Sequence, residues 1–154
     1  MTYSGQGRQE WSHDREQGPS GPRAGFWIRF GAVLIDGIIL GVINVILRGV
    51  IGNAGQGLDF VVGAAYLIAF LGGARGQTPG FRVAGIRVIS MEDGGPIGYG
   101  RATIRWIVGI ASALAILIGY FWMLWDREKQ TWHDKASVSV VVPISYYPAT
   151  GSQT

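Results

Sequence analysis

Residues 26–47 read FWIRFGAVLIDGIILGVINVIL, with Arg29 near the start and Asp36 as the one acid inside. A bilayer core about 30 Å thick is spanned by roughly 20 helical residues, and this run is long enough. Two more apolar runs follow. Leu58 to Ala74 carries only Asp59 near its start, and Trp106 to Trp125 carries no charge at all. The second is short for a span and needs local thinning or flanking residues that reach the interface. Aromatic residues mark the run ends, with Phe26 and Trp27 on the first and Trp106, Trp122 and Trp125 on the third, as an interfacial belt requires. Three such runs in one small domain leave too little polar surface to enclose them in water. The sequence therefore predicts an all-α membrane protein with three transmembrane helices, over about 26–47, 58–74 and 106–125, and the lipid bilayer is its first expected partner.

Composition agrees. The chain has 154 residues, of which 48% are apolar and 15% charged, against about 25% charged in ordinary soluble proteins. Cysteine is absent, which excludes disulfides, thiolate metal sites and a cysteine nucleophile. A net charge of +3 raises nucleic acid as a partner, but long uncharged apolar runs do not belong to a nucleic-acid-binding domain. Residues 1–25, rich in Gly, Gln, Ser, Arg and Pro without apolar period, are expected to form a disordered polar tail. Residues 144–154 are expected to form a flexible one, leaving 26–143 as the membrane domain. The first run starts late, holds Asp36 and has no small-x-small cleavage site behind it, so a retained helix is expected rather than a removed leader.

Basic residues set the orientation. With three full passes and the amino terminus in the cytoplasm, nine Lys and Arg lie inside and four outside, in keeping with the positive-inside rule. If the third run instead dips in and returns, the count becomes twelve against one. Between the second and third runs, FRVAGIRVIS at 81–90 and the turn-like MEDGG at 91–95 suggest a short β-hairpin-like element at the membrane surface. SVSVVVPI at 137–144 is another strand candidate. Pairing of the two strands requires both to lie on one side of the membrane, which favours the re-entrant alternative.

Asp36 is the most informative residue, because a carboxylate inside the apolar phase costs about 2.5–3.5 kcal/mol on insertion scales. It must be paired, protonated or wet. Arg29 lies two turns earlier on nearly the same face, about 10 Å along the axis. Gly37, Gly41, Asn44 and Arg48 fall together further round, and Gly37 with Gly41 forms a small-xxx-small pair suited to close helix packing. On the third run Arg101, Arg105, Gly109, Ser112, Gly119 and Asp126 share one face if the helix continues through its ends. Arg29 or Arg105 is thus expected to reach Asp36 across a helix interface. Asp36 is then either a structural polar clamp or an ion- or proton-carrying group.

Other chemistries fail. GQTPG at 76–80 reads as a turn, since Phe81 stands where a phosphate loop needs lysine. His133 and Asp134 are adjacent but have no nucleophile, and His13 and His133 make no metal site. No catalytic residue, metal or cofactor is expected. The basic second loop suits anionic lipid headgroups, at about 1 kcal/mol per well-placed residue.

Arg29 entering the first helix, Asp36 within it, then GQTPGFRVAGIRVISMEDGGPI and WDREKQTWHDKASVSVVV, resemble the RDD family of small bacterial membrane proteins over about residues 24–143. By position, the arginine and two aspartates for which that family is named map to Arg29, Asp36 and Asp134. The segment from Arg105 to Asp126 is short against the family pattern, and Phe81 precedes the usual basic residue after the turn. The resemblance implies a multi-pass protein of the bacterial inner membrane and, for some members, suggested transport such as sodium–proton exchange. Two function classes stay open. One is an accessory or self-associating membrane protein, docked to a larger complex or to itself as a homo-oligomer. The other is an ion or small-solute carrier using Asp36, tuned by Arg29 and Arg105 and gated by Asp134. Asn44, His133 and Asp126 are supporting candidates in either class.

Overall fold

In the computed structural model the described residues are 21–52, 56–115 and 118–148. The expected polar tail over residues 1–20 and the terminal residues 149–154 lie outside them. The first apolar run forms helix α1, Phe26–Ile51, about 39 Å long at 1.5 Å per residue. Its pattern is inside out. The residues it buries are Arg29, Ala32 and Asp36, which share one face of the helix. Ile38, Val42, Val45 and Val50 stand more than half exposed. A helix that hides its charges and displays its aliphatics is patterned for an apolar outer medium. Among the described residues it is the one helix long and apolar enough to cross a membrane unaided.

Helix α2, Gln56–Gly72, is apolar but shorter, and runs back toward the start of α1. Thr78 then caps a one-turn helix α3, Pro79–Val83, with its side chain accepting from the Phe81 amide and Pro79 at the first position, the arrangement in which a proline costs no hydrogen bond. Strand β1, Ile86–Ser90, follows. The hairpin expected after it does not form. The Asp93-Gly94 turn closes onto the end of β1 itself, with the Ser90 amide donating to the Gly95 carbonyl at 2.8 Å. Pro96 has no amide for a ladder, and Gly98 at φ +74° swings the chain into helix α4, Gly98–Leu114.

The partner of β1 lies some fifty residues downstream. Strand β2, Ser139–Pro143, pairs with it antiparallel, Val88 opposite Val141 and Ser90 opposite Ser139. Val88, Val140, Val141 and Val142 are fully buried, and one sheet face packs on Ala32, Leu71 and Ala102 of the three long helices. The third apolar run is not a single straight helix. Helix α4 and the stretch formed by helix α5, Ile118–Phe121, with the 3-10 turn Trp122–Leu124 meet at 112°. Gly119 packs against Ser112, so α5 folds back on α4. Helix α6, Trp132–Ala136, then leads into β2. Because β1 precedes α4 and β2 follows α6, their pairing returns both ends of this segment to one place.

The chain entering α1 reaches that place too. Within the stretch expected as tail, Ala24 is buried and its amide donates to the Val141 carbonyl at 2.9 Å, while Arg23 pairs with Glu128. Likewise residues 144–148 are tied down in part, the Ile144 amide donating to the Gly85 carbonyl at 2.9 Å.

Candidate functional site

Two buried polar centres sit where α1 meets the sheet and its connecting segments. The first is Asp36. Its Oδ1 accepts from the Tyr66 hydroxyl and the Gly80 amide, each at 2.8 Å, and its Oδ2 accepts from the Thr78 hydroxyl at 2.5 Å. The donors come from α2 and from the cap of α3, so one carboxylate joins three helices. Gly80 is required by proximity: a Cβ there would overlap the Ala32 carbonyl and stand 2.8 Å from the Asp36 carboxyl carbon. The turn at 76–80 is therefore the receptor for Asp36, which spacing alone did not disclose. Thr-Pro-Gly as cap, first helical residue and close-approach residue is the signal that marks it.

The second centre is Asp134. Its carboxylate lies between two buried guanidiniums, Arg29 Nη1 donating to Oδ2 at 2.6 Å and Arg105 Nη1 donating to Oδ1. Asp134 is placed by a capping box, its Oδ2 accepting from the Thr131 amide at 3.0 Å while its own amide donates to the Thr131 hydroxyl. Two cations against one anion leave an excess positive charge, spread over neutral oxygen acceptors. Arg29 also donates to the Ala24 carbonyl at 3.1 Å and the Lys129 carbonyl at 2.8 Å, and Arg105 to the Ser139 hydroxyl at 3.0 Å. Burial alone would raise the Asp134 pKa, but Arg105 and Arg29 outweigh it and hold the carboxyl well below its usual range. His133 is pushed down to about 3, by burial first and then by the Arg105 charge, so its ring is neutral. Its ring lies tilted at 57° against Tyr120, with centroids 4.9 Å apart.

The expected contact between Asp36 and Arg29 or Arg105 does not occur. Both arginines turn to Asp134 instead, because the pairing of β1 with β2 brings α6 under the start of α1, whereas Asp36 stands two turns deeper beside α3. The remaining candidates scatter. Asn44 lines a groove between α1 and α2 with Gly41, Asp59 and Gly63. Asp126 leaves the third-run face, because the helix has ended, and accepts from Lys135 and from the Gln130 amide. Among the described residues nothing outside α1's own backbone lies within 4 Å of where a Cβ on Gly37 or Gly41 would be, so the two glycines leave open space beside the helix. Tyr66, Thr78, Gly80 and Thr131 are the site residues that sequence reasoning missed. Among the described residues no group of three or more His, Asp or Glu side chains is placed to hold a metal. The chemistry available at both centres is that of saturated, charge-assisted hydrogen bonding.

Comparison with known proteins places these residues in context. The sequence pattern described as the RDD family matches residues 23–138. A "Proline-rich antigen homolog" of Mycobacterium tuberculosis (strain ATCC 25618 / H37Rv) is 36% identical over 97 residues, covering 61% of this chain and 40% of that protein. The "Proline-rich antigen" of Mycobacterium leprae (strain TN) is 35% identical over 88 residues, 55% of this chain and 35% of that protein. The match thus spans about two fifths or less of these curated relatives. No solved structure matches.

Proposed function

The chain belongs to the RDD family, and from that premise we propose that it is a multi-pass membrane protein with an accessory or self-associating role, Arg29, Asp36 and Asp134 serving as structural locks. The observation that carries this reading is that both oxygens of Asp36 are engaged, by three donors from two other helices. A carrier group must exchange its ligand or proton, and each exchange here would leave the buried Thr78 and Gly80 donors unsatisfied, at about 1–3 kcal/mol each.

In this proposal α1 and α2 cross the bilayer and the third run enters and leaves on one side. From Arg105 to Leu114, α4 advances only about 14 Å beyond the polar layer, half of a core about 30 Å thick. That side faces the cytoplasm in a bacterial inner membrane, since it gathers twelve of the thirteen Lys and Arg and leaves Arg48 alone opposite. The exposed Gly37/Gly41 face of α1 is the surface for a second helix, from a larger complex or another copy.

The test is Asp36→Asn, purified in detergent and reconstituted into proteoliposomes. The expected variant loses about 2 kcal/mol of stability, with a lower Tm, while sodium- and pH-driven flux is the same as for wild type. A variant as stable as wild type, or one that abolishes a flux the wild type carries, contradicts the lock.

A further inference from the structure

Where α2 ends, the chain leaves the apolar segment through Gly72 and turns along the outer edge of β1, with the Val88 amide donating to the Gly76 carbonyl at 2.8 Å. A cavity of about 230 Å³ opens at this turn. Ala69 and Phe70 of α2 form its apolar wall and Arg75, Gln77 and Arg82 its polar one, with Ala74 completing the lining. Gln77 is fixed, its Nε2 donating to the Ile86 carbonyl at 2.8 Å. The arginines are not. Arg23, Arg29, Arg48, Arg101 and Arg105 each meet a carboxylate, whereas no ion pair among the described residues involves Arg75, Arg82 or Arg87.

Of these three arginines, Arg87 is the most constrained. It is 3% exposed, yet its Nε has no partner and its Nη2 makes only a long 3.4 Å bond to the Ala74 carbonyl. A buried cation without a counter-charge is strongly unfavourable. The carbonyl it leans on belongs to the cavity wall, so its charge stands directly behind that wall. Arg75 and Arg82 add two exposed guanidiniums at the mouth, in the planar geometry that matches phosphate oxygens bidentately. The apolar wall continues the lipid-facing surface of α2.

We infer that this cavity binds a phosphate group at the membrane surface, gripped by Arg75 and Arg82 and drawn by the unpaired Arg87 behind them. A phospholipid headgroup and free phosphate share that chemistry. The headgroup fits the apolar wall, along which its acyl chain would run.

The experiment uses the full chain in mild detergent, with binding of dioctanoyl phosphatidylglycerol, dioctanoyl phosphatidylcholine and inorganic phosphate read by native mass spectrometry and thermal shift. Phosphatidylglycerol is expected to bind best, and Arg75→Gln/Arg82→Gln to weaken it by about tenfold or more. Arg127→Gln/Lys129→Gln, which removes the same charge outside the cavity, leaves it unchanged. Arg75→Lys/Arg82→Lys, which keeps the charge and loses the fork, falls between. If inorganic phosphate binds as tightly and displaces the lipid, the site stands with free phosphate as its source. Wild-type affinity in Arg75→Gln/Arg82→Gln, or an equal loss in Arg127→Gln/Lys129→Gln, overturns the site.

Discussion

Asp134 holds two guanidiniums with one carboxylate, and everything around it is arranged to keep that carboxylate charged and the neighbouring imidazole neutral. The sign of each shift sets the pH response. His133 has a folded pKa depressed to about 3 from 6.5. Below about pH 6.5 the unfolded chain therefore binds a proton that the folded one refuses, and stability is lost as pH falls. Asp134, also depressed, adds its own loss only below the ordinary carboxylate range, near pH 3.8. The two phases separate. The Tm in detergent is expected to be flat from about pH 8 to 6.5 and to decline from there to about pH 4, and His133→Gln should flatten that upper decline while leaving the acid limb below it. A wild-type Tm unchanged down to about pH 4 would show that His133 titrates normally. None of this was legible in sequence. His133-Asp134 was visible as a pair of titratable neighbours, but its polarity depends on Arg29 and Arg105, which are 105 and 29 residues away from Asp134.

At the scale of elements, the first helix was readable almost in full, because a long apolar run with one acid has few alternative fates. What spacing could not supply was the destination of its polar stripe. Helical periodicity places Arg29 and Asp36 on one face and says nothing about which loop folds against it. The answer lies in a segment that looks like a linker, where Thr78 and Gly80 deliver two of three donors to Asp36. Gly80→Ala tests that contact without touching any charge. The added methyl would overlap the Ala32 carbonyl, forcing α3 from α1 and loosening the Asp36 bonds. A loss of about 2 kcal/mol or more is expected from overpacking, read as a lower Tm, whereas Gly31→Ala, also in α1 but with open space around it, should change little or gain slightly from helix propensity. Equal stabilities would mean α3 is not held against α1. The strand pairing was open for the same reason: an Ile-Arg-Val-Ile run announces a strand, local turn chemistry pointed to a hairpin and the valine-rich run at 137–144 stood as the other candidate partner, and burial of the valines at 140–142 selects the distant one.

At the scale of the whole molecule, one polar layer collects the entry to α1, the exit from α2, both ends of the α4–α5 segment, and the two strands. Ala24 on Val141, Gln77 on Ile86, Arg101 on Ser90 and Arg105 on Asp134 are the contacts that join them. Sequence supplied both topologies and the charge count that separates them, but a run of 20 uncharged residues does not reveal a bend of 112°. The chain has no cysteine, so single introduced thiols report sidedness without background. The decisive measurement is labelling of Val50→Cys and Ser145→Cys in intact cells with a membrane-impermeant maleimide. Both side chains are exposed. A third run that enters and leaves on the cytoplasmic side predicts that Val50→Cys is labelled from outside and that Ser145→Cys is labelled only after the cells are opened. Labelling of Ser145→Cys in intact cells would place the carboxyl-terminal strand outside and contradict the shared polar layer.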